Sequence, residues 1–189
     1  MLADPGNRAW APEPLRLVQA FVNTLDVEND VEELSSPAAL EHVLAEIGAP
    51  TEGGPPLGAR ALANALRARE AFRALALANS GVPVEEHHLE TLERVADAAR
   101  FTVRFERSGA RLVPQARGLD GVLGRMLAIV HEGTTDGTWW RLKACPRDVC
   151  HWVFYDRSRN GSGKWCSMSV CGNRINTKTY RRRAAARRM

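Results

Sequence analysis

Cysteine occurs four times in this chain of 189 residues, at Cys145, Cys150, Cys166 and Cys171, so a C-x4-C-x15-C-x4-C pattern is confined to the last quarter of the sequence. Two close pairs, separated by a stretch long enough to fold back, can place four thiolates at the corners of the tetrahedron that a structural Zn2+ prefers, with Zn–S distances of about 2.3 Å. The competing reading is a pair of disulfides, which would need an oxidising compartment. Residues 1–17 argue against one, because Pro5, Gly6, Pro12 and Pro14 interrupt them and they hold no apolar run that could form a signal-peptide core. Zinc held in a cytoplasmic protein is therefore the expectation. Four thiolates complete the tetrahedron and leave no position for water, which makes the site structural rather than catalytic. His131 and His151 are substitute ligands only if a cysteine fails, and ordinary polar roles suit them better.

The overall charge of +4 conceals a division along the chain. Residues 1–138 hold 13 Lys or Arg against 20 Asp or Glu, whereas residues 139–189 hold 13 against 2. An acidic body thus precedes a strongly basic end, a split that points to a polyanionic partner for the basic part. No segment approaches the run of about 18 apolar residues that spans a bilayer, so no membrane association is expected.

The body reads as mainly helical. Leu15, Val18, Val22 and Leu25, with Leu17 and Phe21, recur at helical spacing after Pro14. Ser36 caps and Pro37 opens a second helix whose apolar face is Leu40, Val43, Leu44 and Ile47, with Gly48 closing it. After a Pro/Gly loop at 51–58, a longer helix runs from Ala59 to Asn79, with Leu62, Leu66, Phe72 and Leu75 among its arginines. A fourth follows, with Leu89, Leu92, Val95, Ala96 and Ala99 as its buried stripe. The period then changes to alternation: Phe101, Val103 and Phe105 face one way, and a turn at 108–109 returns the chain through Ala110 to Val113 as a hairpin. Leu119 to Val130 is a last helix, and 133–138 reads as a linker.

From Trp139 the composition shifts, with four of the five tryptophans and half of the basic residues in this stretch. Here 151–155 is β-prone, 160–163 turns the chain, Lys164-Trp165 leads to Cys166, and Asn173 to Arg188 lacks Gly and Pro and can be helical. The expected fold class is α+β: a mainly helical N-terminal domain with a β-hairpin (1–137), then a small treble-clef-like zinc finger with a basic C-terminal helix (138–189). About 50 residues cannot bury much apolar surface alone, so zinc supplies much of the finger's folding free energy, and its loss is expected to unfold the finger and spare the body. Trp152, Phe154, Tyr155 and Trp165 are expected to pack around the metal rather than stack on bases.

Arg174, Lys178, Arg181 and Arg182 share one side of the expected helix, with Arg183 and Lys164 extending the charge. Phosphate contact suits this row, and Asn173 and Arg174 could also reach base edges. No HExxH, Walker or GxGxxG pattern occurs, and nothing assembles a nucleophile, a base and oxyanion donors, so the chain does not read as an enzyme.

Cys145-Pro146, the run Trp152-Val153-Phe154-Tyr155-Asp156 after Cys150, Trp165-Cys166-Ser167-Met168 and Cys171-Gly172-Asn173-Arg174 together resemble the CGNR zinc finger. The acidic body, including Phe21-Val22-Asn23-Thr24, is similar to the ABATE domain that precedes this finger in bacterial stress-induced transcription regulators. The resemblance implies zinc on the four cysteines, DNA binding by the finger and a body that senses a small-molecule ligand. Asn23, His131 and Trp139 are the candidate ligand-binding residues. The alternative is a zinc-finger interaction module that holds an acidic protein partner or RNA.

Overall fold

The computed structural model describes residues 10–107 and 109–173, so the cations from Arg174 onward lie outside the described residues. The elements run α1 (Leu15–Val22), β1 (Leu25–Asp26), β2 (Val31–Glu32), α2 (Pro37–Glu46), α3 (Ala59–Ala78), α4 (Glu86–Ala99), β3 (Phe101–Glu106), β4 (Gly109–Pro114), α5 (Gly118–Asp136), a 3-10 turn (Trp139–Arg141), β5 (Leu142–Ala144), β6 (Val153–Tyr155) and a π-type helical turn (Met168–Gly172). Among the described residues the strands form three two-stranded antiparallel sheets, β1–β2, β3–β4 and β5–β6. No described helix is long and apolar enough to cross a membrane.

Local chemistry sets the element boundaries. Ser36 accepts a hydrogen bond from the Ala39 N–H at 3.1 Å, and Pro37 occupies the first turn, where its missing N–H costs nothing. α1 is the central helix, buried from Leu17 to Val22 and packed on α3 and α5. Its Phe21 meets Phe72 of α3 edge to face, with ring centroids 6.4 Å apart. Ala65, Ala68, Ala71 and Ala76 of the same helix are buried in the same hydrophobic cluster.

Two of the expected stripes are placed differently. Leu62, Leu66 and Leu75 are only partly buried, whereas Arg69 and Arg73 of the same helix are each 3% exposed. Arg69 forms a bidentate pair with Glu32 at 2.6 and 2.7 Å, and Glu70 accepts from the Nε of both arginines at 2.9 Å. Arg73 also donates to the Val22 carbonyl at 2.8 Å and to the His151 carbonyl at 3.0 Å. Burying these guanidinium groups is tolerable because each is ion-paired and hydrogen-bonded. On α4, Leu89 is exposed and Thr91 takes the buried place beside Leu92, Val95 and Ala99.

The expected linker at 133–138 is mostly helix: α5 continues to Asp136, and the chain turns at Gly137, whose φ is +76°. Trp139, Leu142, Ala144 and Val153 then join the same hydrophobic cluster as α1, α3 and α5. The partner of β6 is β5, a strand the sequence reading did not anticipate, with Leu142 opposite Tyr155 and Ala144 opposite Val153. Body side chains satisfy the open edges of this hairpin. Asn23 donates to the Val153 carbonyl at 2.8 Å and accepts from the Val153 N–H at 2.9 Å, and Gln19 donates to the same carbonyl at 3.1 Å. Asn79 donates to the carbonyls of Trp139 and Leu142, and the Ser80 hydroxyl donates to that of Ala144 at 2.7 Å.

Replacing Asn23 by Ala leaves the Val153 N–H without its partner and weakens satisfaction of its carbonyl. At about 1–3 kcal/mol for each buried group so affected, urea denaturation is expected to show a loss of about 2–4 kcal/mol. An unchanged midpoint would contradict this reading of the junction.

Candidate metal centre

The four cysteines converge from two turns. β5 delivers Cys145, whose N–H donates to the Trp152 carbonyl at 2.9 Å, and a tight turn in which the Cys150 N–H donates to the Arg147 carbonyl at 2.8 Å returns the chain to β6. Cys166 precedes the helical turn that carries Cys171, and that turn starts with the N–H groups of Cys171 and Gly172 donating to the Ser167 carbonyl at 3.0 Å. Gly172 sits in a close approach: a Cβ there would lie 2.7 Å from the sulfur of the exposed Met168 side chain and 3.3 Å from the Trp165 ring.

All four Sγ atoms lie within 4.8 Å of one another and all four residues are buried. Cys166 Sγ is 3.6 Å from Cys150 Sγ and 3.5 Å from Cys171 Sγ. A disulfide requires sulfurs about 2.05 Å apart, and the cysteines are free. A tetrahedron of thiolates around an ion at about 2.3 Å has edges of about 3.8 Å, close to the spacing seen, so the donor set fits a four-coordinate thiophilic metal. Hydrogen bonds from Cys150 and Cys166 hold the Cys145 thiol down to about 2, while the same contact with Cys145 pushes Cys150 up to about 12, and Cys166 is raised as well. Crowded sulfurs of this kind do not all ionise together without a cation among them.

Trp152 and Phe154 are buried against the sulfurs, with Trp165 and Val170 packed beside them, while Tyr155 packs on the body core instead. The aromatic residues thus close a small apolar shell around the cluster, which limits water access. Arg147 was not singled out by the sequence reading. Its guanidinium donates to Cys171 Sγ at 3.2 Å and to Glu28 at 3.1 Å, tying the cluster to the β1–β2 turn of the body.

A second arrangement holds the loop between the cysteine pairs. Lys143, 6% exposed, donates to Asp156 at 2.8 Å, to the Gly163 carbonyl at 3.2 Å and to the Gly161 carbonyl. Arg141 donates to the carbonyls of Asp156 and Ser158 at 2.9 and 2.8 Å and stacks on Trp140 at 4.6 Å. Gly161, at φ +59°, lies against that ring: a Cβ there would be 1.8 Å from Trp140 Cζ3. The turn expected at 160–163 falls slightly earlier, where the Gly161 N–H donates to the Ser158 carbonyl at 3.2 Å, and it is fastened by Lys143 and Arg141, which the sequence reading did not single out.

The other candidate residues fall in different places. Lys164 and Asn173 are exposed, on the two sides of the second cysteine pair, while Arg174, Lys178, Arg181, Arg182 and Arg183 lie outside the described residues. Asn23 is occupied with Val153, Trp139 is buried in the core, and His131 is exposed on α5, so these three do not gather at one site.

A buried cluster of four cysteines, carried on a short hairpin and a helical turn beside a helical body, defines a zinc-finger-type protein with a helical partner domain. Residues 141–184 match the CGNR zinc finger, and residues 15–147 match the ABATE family, described as a putative stress-induced transcription regulator. The second match spans well over half of the chain, which therefore belongs to the ABATE family, with a CGNR zinc finger following in N- to C-terminal order. The two matches overlap at residues 141–147, where β5 leads into the first cysteine turn. No curated protein matches the chain.

Burial opposes ionisation of Asp156, but the Lys143 ammonium and the N–H groups of Ser158 and Gly163 hold its pKa down to about 2. A depressed carboxylate contributes stability above its unfolded pKa of about 3.9, here about 2 kcal/mol, and loses it as pH falls through the folded value. Lys143→Met leaves Asp156 buried without its cation and is expected to cost about 3–5 kcal/mol at pH 7, the difference from wild type shrinking below about pH 3. A pH-independent difference in denaturation midpoint would contradict the ion-pair assignment.

Proposed function

We propose that this protein is a zinc-dependent, DNA-binding transcription regulator in which residues 138–189 form the finger and residues 1–137 a body that senses a signal. The observation that carries the proposal is the seating of Cys171 in the turn Met168–Gly172, so that the cationic run from Arg174 starts three residues beyond a metal ligand. Cys145, Cys150, Cys166 and Cys171 hold the zinc, which closes its own coordination shell and performs no chemistry on a substrate. The metal fixes where the chain departs toward Arg174, Lys178, Arg181, Arg182 and Arg183, and Lys164 adds charge from the neighbouring loop. These residues neutralise phosphates, while Asn173 and Arg174 are nearest to the fixed turn and best placed to read bases. The strong basic excess of residues 139–189 supports the same reading, and so does the regulator description of the family. A regulator of this kind works in the cytoplasm and is not an enzyme.

One observation favours a second reading. A groove of about 440 Å³ on the finger has the partly exposed Trp165, Met168 and Arg157 among its lining residues. An aromatic face beside a cation suits the unstacked bases of RNA, whereas an acidic protein would use the cations alone.

Fluorescence anisotropy with duplex DNA at several salt concentrations separates these readings. Neutralising about five phosphates gives a log–log salt slope of about −4.5, and the quadruple Ala variant at Arg174, Lys178, Arg181 and Arg182 is expected to flatten it to near −1. Tighter binding of single-stranded RNA than of duplex DNA would support the second reading, and equally weak binding by wild type and variant would overturn the first. Metal analysis of the purified chain is expected to give one zinc per chain, and Cys166→Ser to reduce both zinc content and DNA affinity.

A further inference from the structure

The β3–β4 hairpin is anchored at its base and unsupported at its tip. Antiparallel partners face the same way, so Phe101, Val103 and Phe105 share one face with Pro114, Leu112 and Ala110. At the base this face rests on α5, where a Cβ on Gly124 would lie 2.9 Å from that of Pro114. Toward the tip the face loses its cover: Val103 is 51% exposed and Phe105 85%. Between the tip and the C-terminal half of α5 lies a cleft of about 460 Å³, lined by Val103, Ala110, Leu112, His131, Glu132 and Thr135 among others.

The two walls carry opposite charge. Arg111 pairs with Glu106 at 2.7 Å and Arg104 lies on the opposite face of the hairpin, so the positive charge next to Phe105 at the tip is that of Arg107. The α5 wall presents Glu132 and Asp136. An exposed aromatic side chain beside a cation, next to an apolar cleft flanked by carboxylates, is a self-complementary surface. A two-fold axis can bring each Phe105 to the other copy's cleft and each Arg107 to the other copy's Glu132 and Asp136.

We infer that the chain forms a symmetric dimer through this arm, with a second copy of the same chain as the occupant of the cleft. A single exposed apolar residue is ordinary, but here an apolar face, a cleft beside it and complementary charges coincide on one element. The contact lies on the β3–β4 side of α5 and uses none of the residues assigned to zinc or nucleic acid, so it stands or falls separately from the DNA-binding proposal. Its functional consequence is a pair of fingers related by the same two-fold axis, the arrangement that a palindromic DNA site matches.

Sedimentation equilibrium of the zinc-loaded full chain over a range of concentrations is the test. Wild type is expected to approach twice the monomer mass. Phe105→Asp is expected to weaken dimerisation roughly a hundredfold or more, since a two-fold contact is struck twice, with the far-UV circular dichroism spectrum unchanged because the side chain is exposed in the monomer. Arg107→Glu and Glu132→Arg should each weaken association, and the two together should restore it. A wild type that remains monomeric at all concentrations, a Phe105→Asp dimer as tight as wild type, or a double variant no tighter than its parents would each overturn the inference.

Discussion

The β5–β6 hairpin carries the first two cysteines at its tip and, among the described residues, has no further strand on either side, so its outward peptide groups find partners elsewhere. They find them in Gln19, Asn23, Asn79 and Ser80, all body residues. Buried backbone groups without partners are costly, so the hairpin is stable where it sits only while α1 and the end of α3 are in place. The dependence runs the other way as well. Trp139, Leu142, Ala144 and Val153 complete the body's hydrophobic cluster, and Arg73 of α3 needs the His151 carbonyl for one of its guanidinium N–H groups.

This junction changes what a metal bound by the four cysteines would do for the molecule. A finger tethered by a linker would fold and unfold alone. Here Arg147 touches both Cys171 and Glu28, and Val153 lies between the metal shell and α1, so the coordination site and the body share neighbours within a few ångströms. Metal-binding free energy in such an arrangement stabilises more than the residues that hold the ion. The same contacts offer a physical route by which a change in the body could alter the finger, since moving α1 displaces Asn23 and Gln19 from β6.

Much of this was legible in the sequence where local chemistry decides. The C-x4-C-x15-C-x4-C spacing led to a compact cluster, Ser36-Pro37 marked a helix start, and the alternation Phe101-Thr102-Val103-Arg104-Phe105 marked a strand. What was not legible depends on partners distant in sequence. Arg69 and Arg73 in an alanine-rich helix resemble a solvated face, and only Glu32, Val22 and His151 explain their burial. β5 was missed because it is three residues long and its central residue is Lys143, a charge that belongs inside only because Asp156 and two carbonyls meet it. Helical periodicity stops near Val130 although α5 runs on to Asp136, which is why a linker was expected there.

The central claim is that the metal cluster and the helical body are one cooperative unit, contrary to the simpler expectation that zinc loss spares the body. Hydrogen–deuterium exchange of the full chain, with zinc bound and after chelation, tests it most directly. The account predicts that chelation raises exchange not only across residues 142–172 but also in α1 around Gln19–Asn23 and at the C-terminal end of α3. Faster exchange confined to residues 142–172, with α1 and α3 as protected as before, would contradict it.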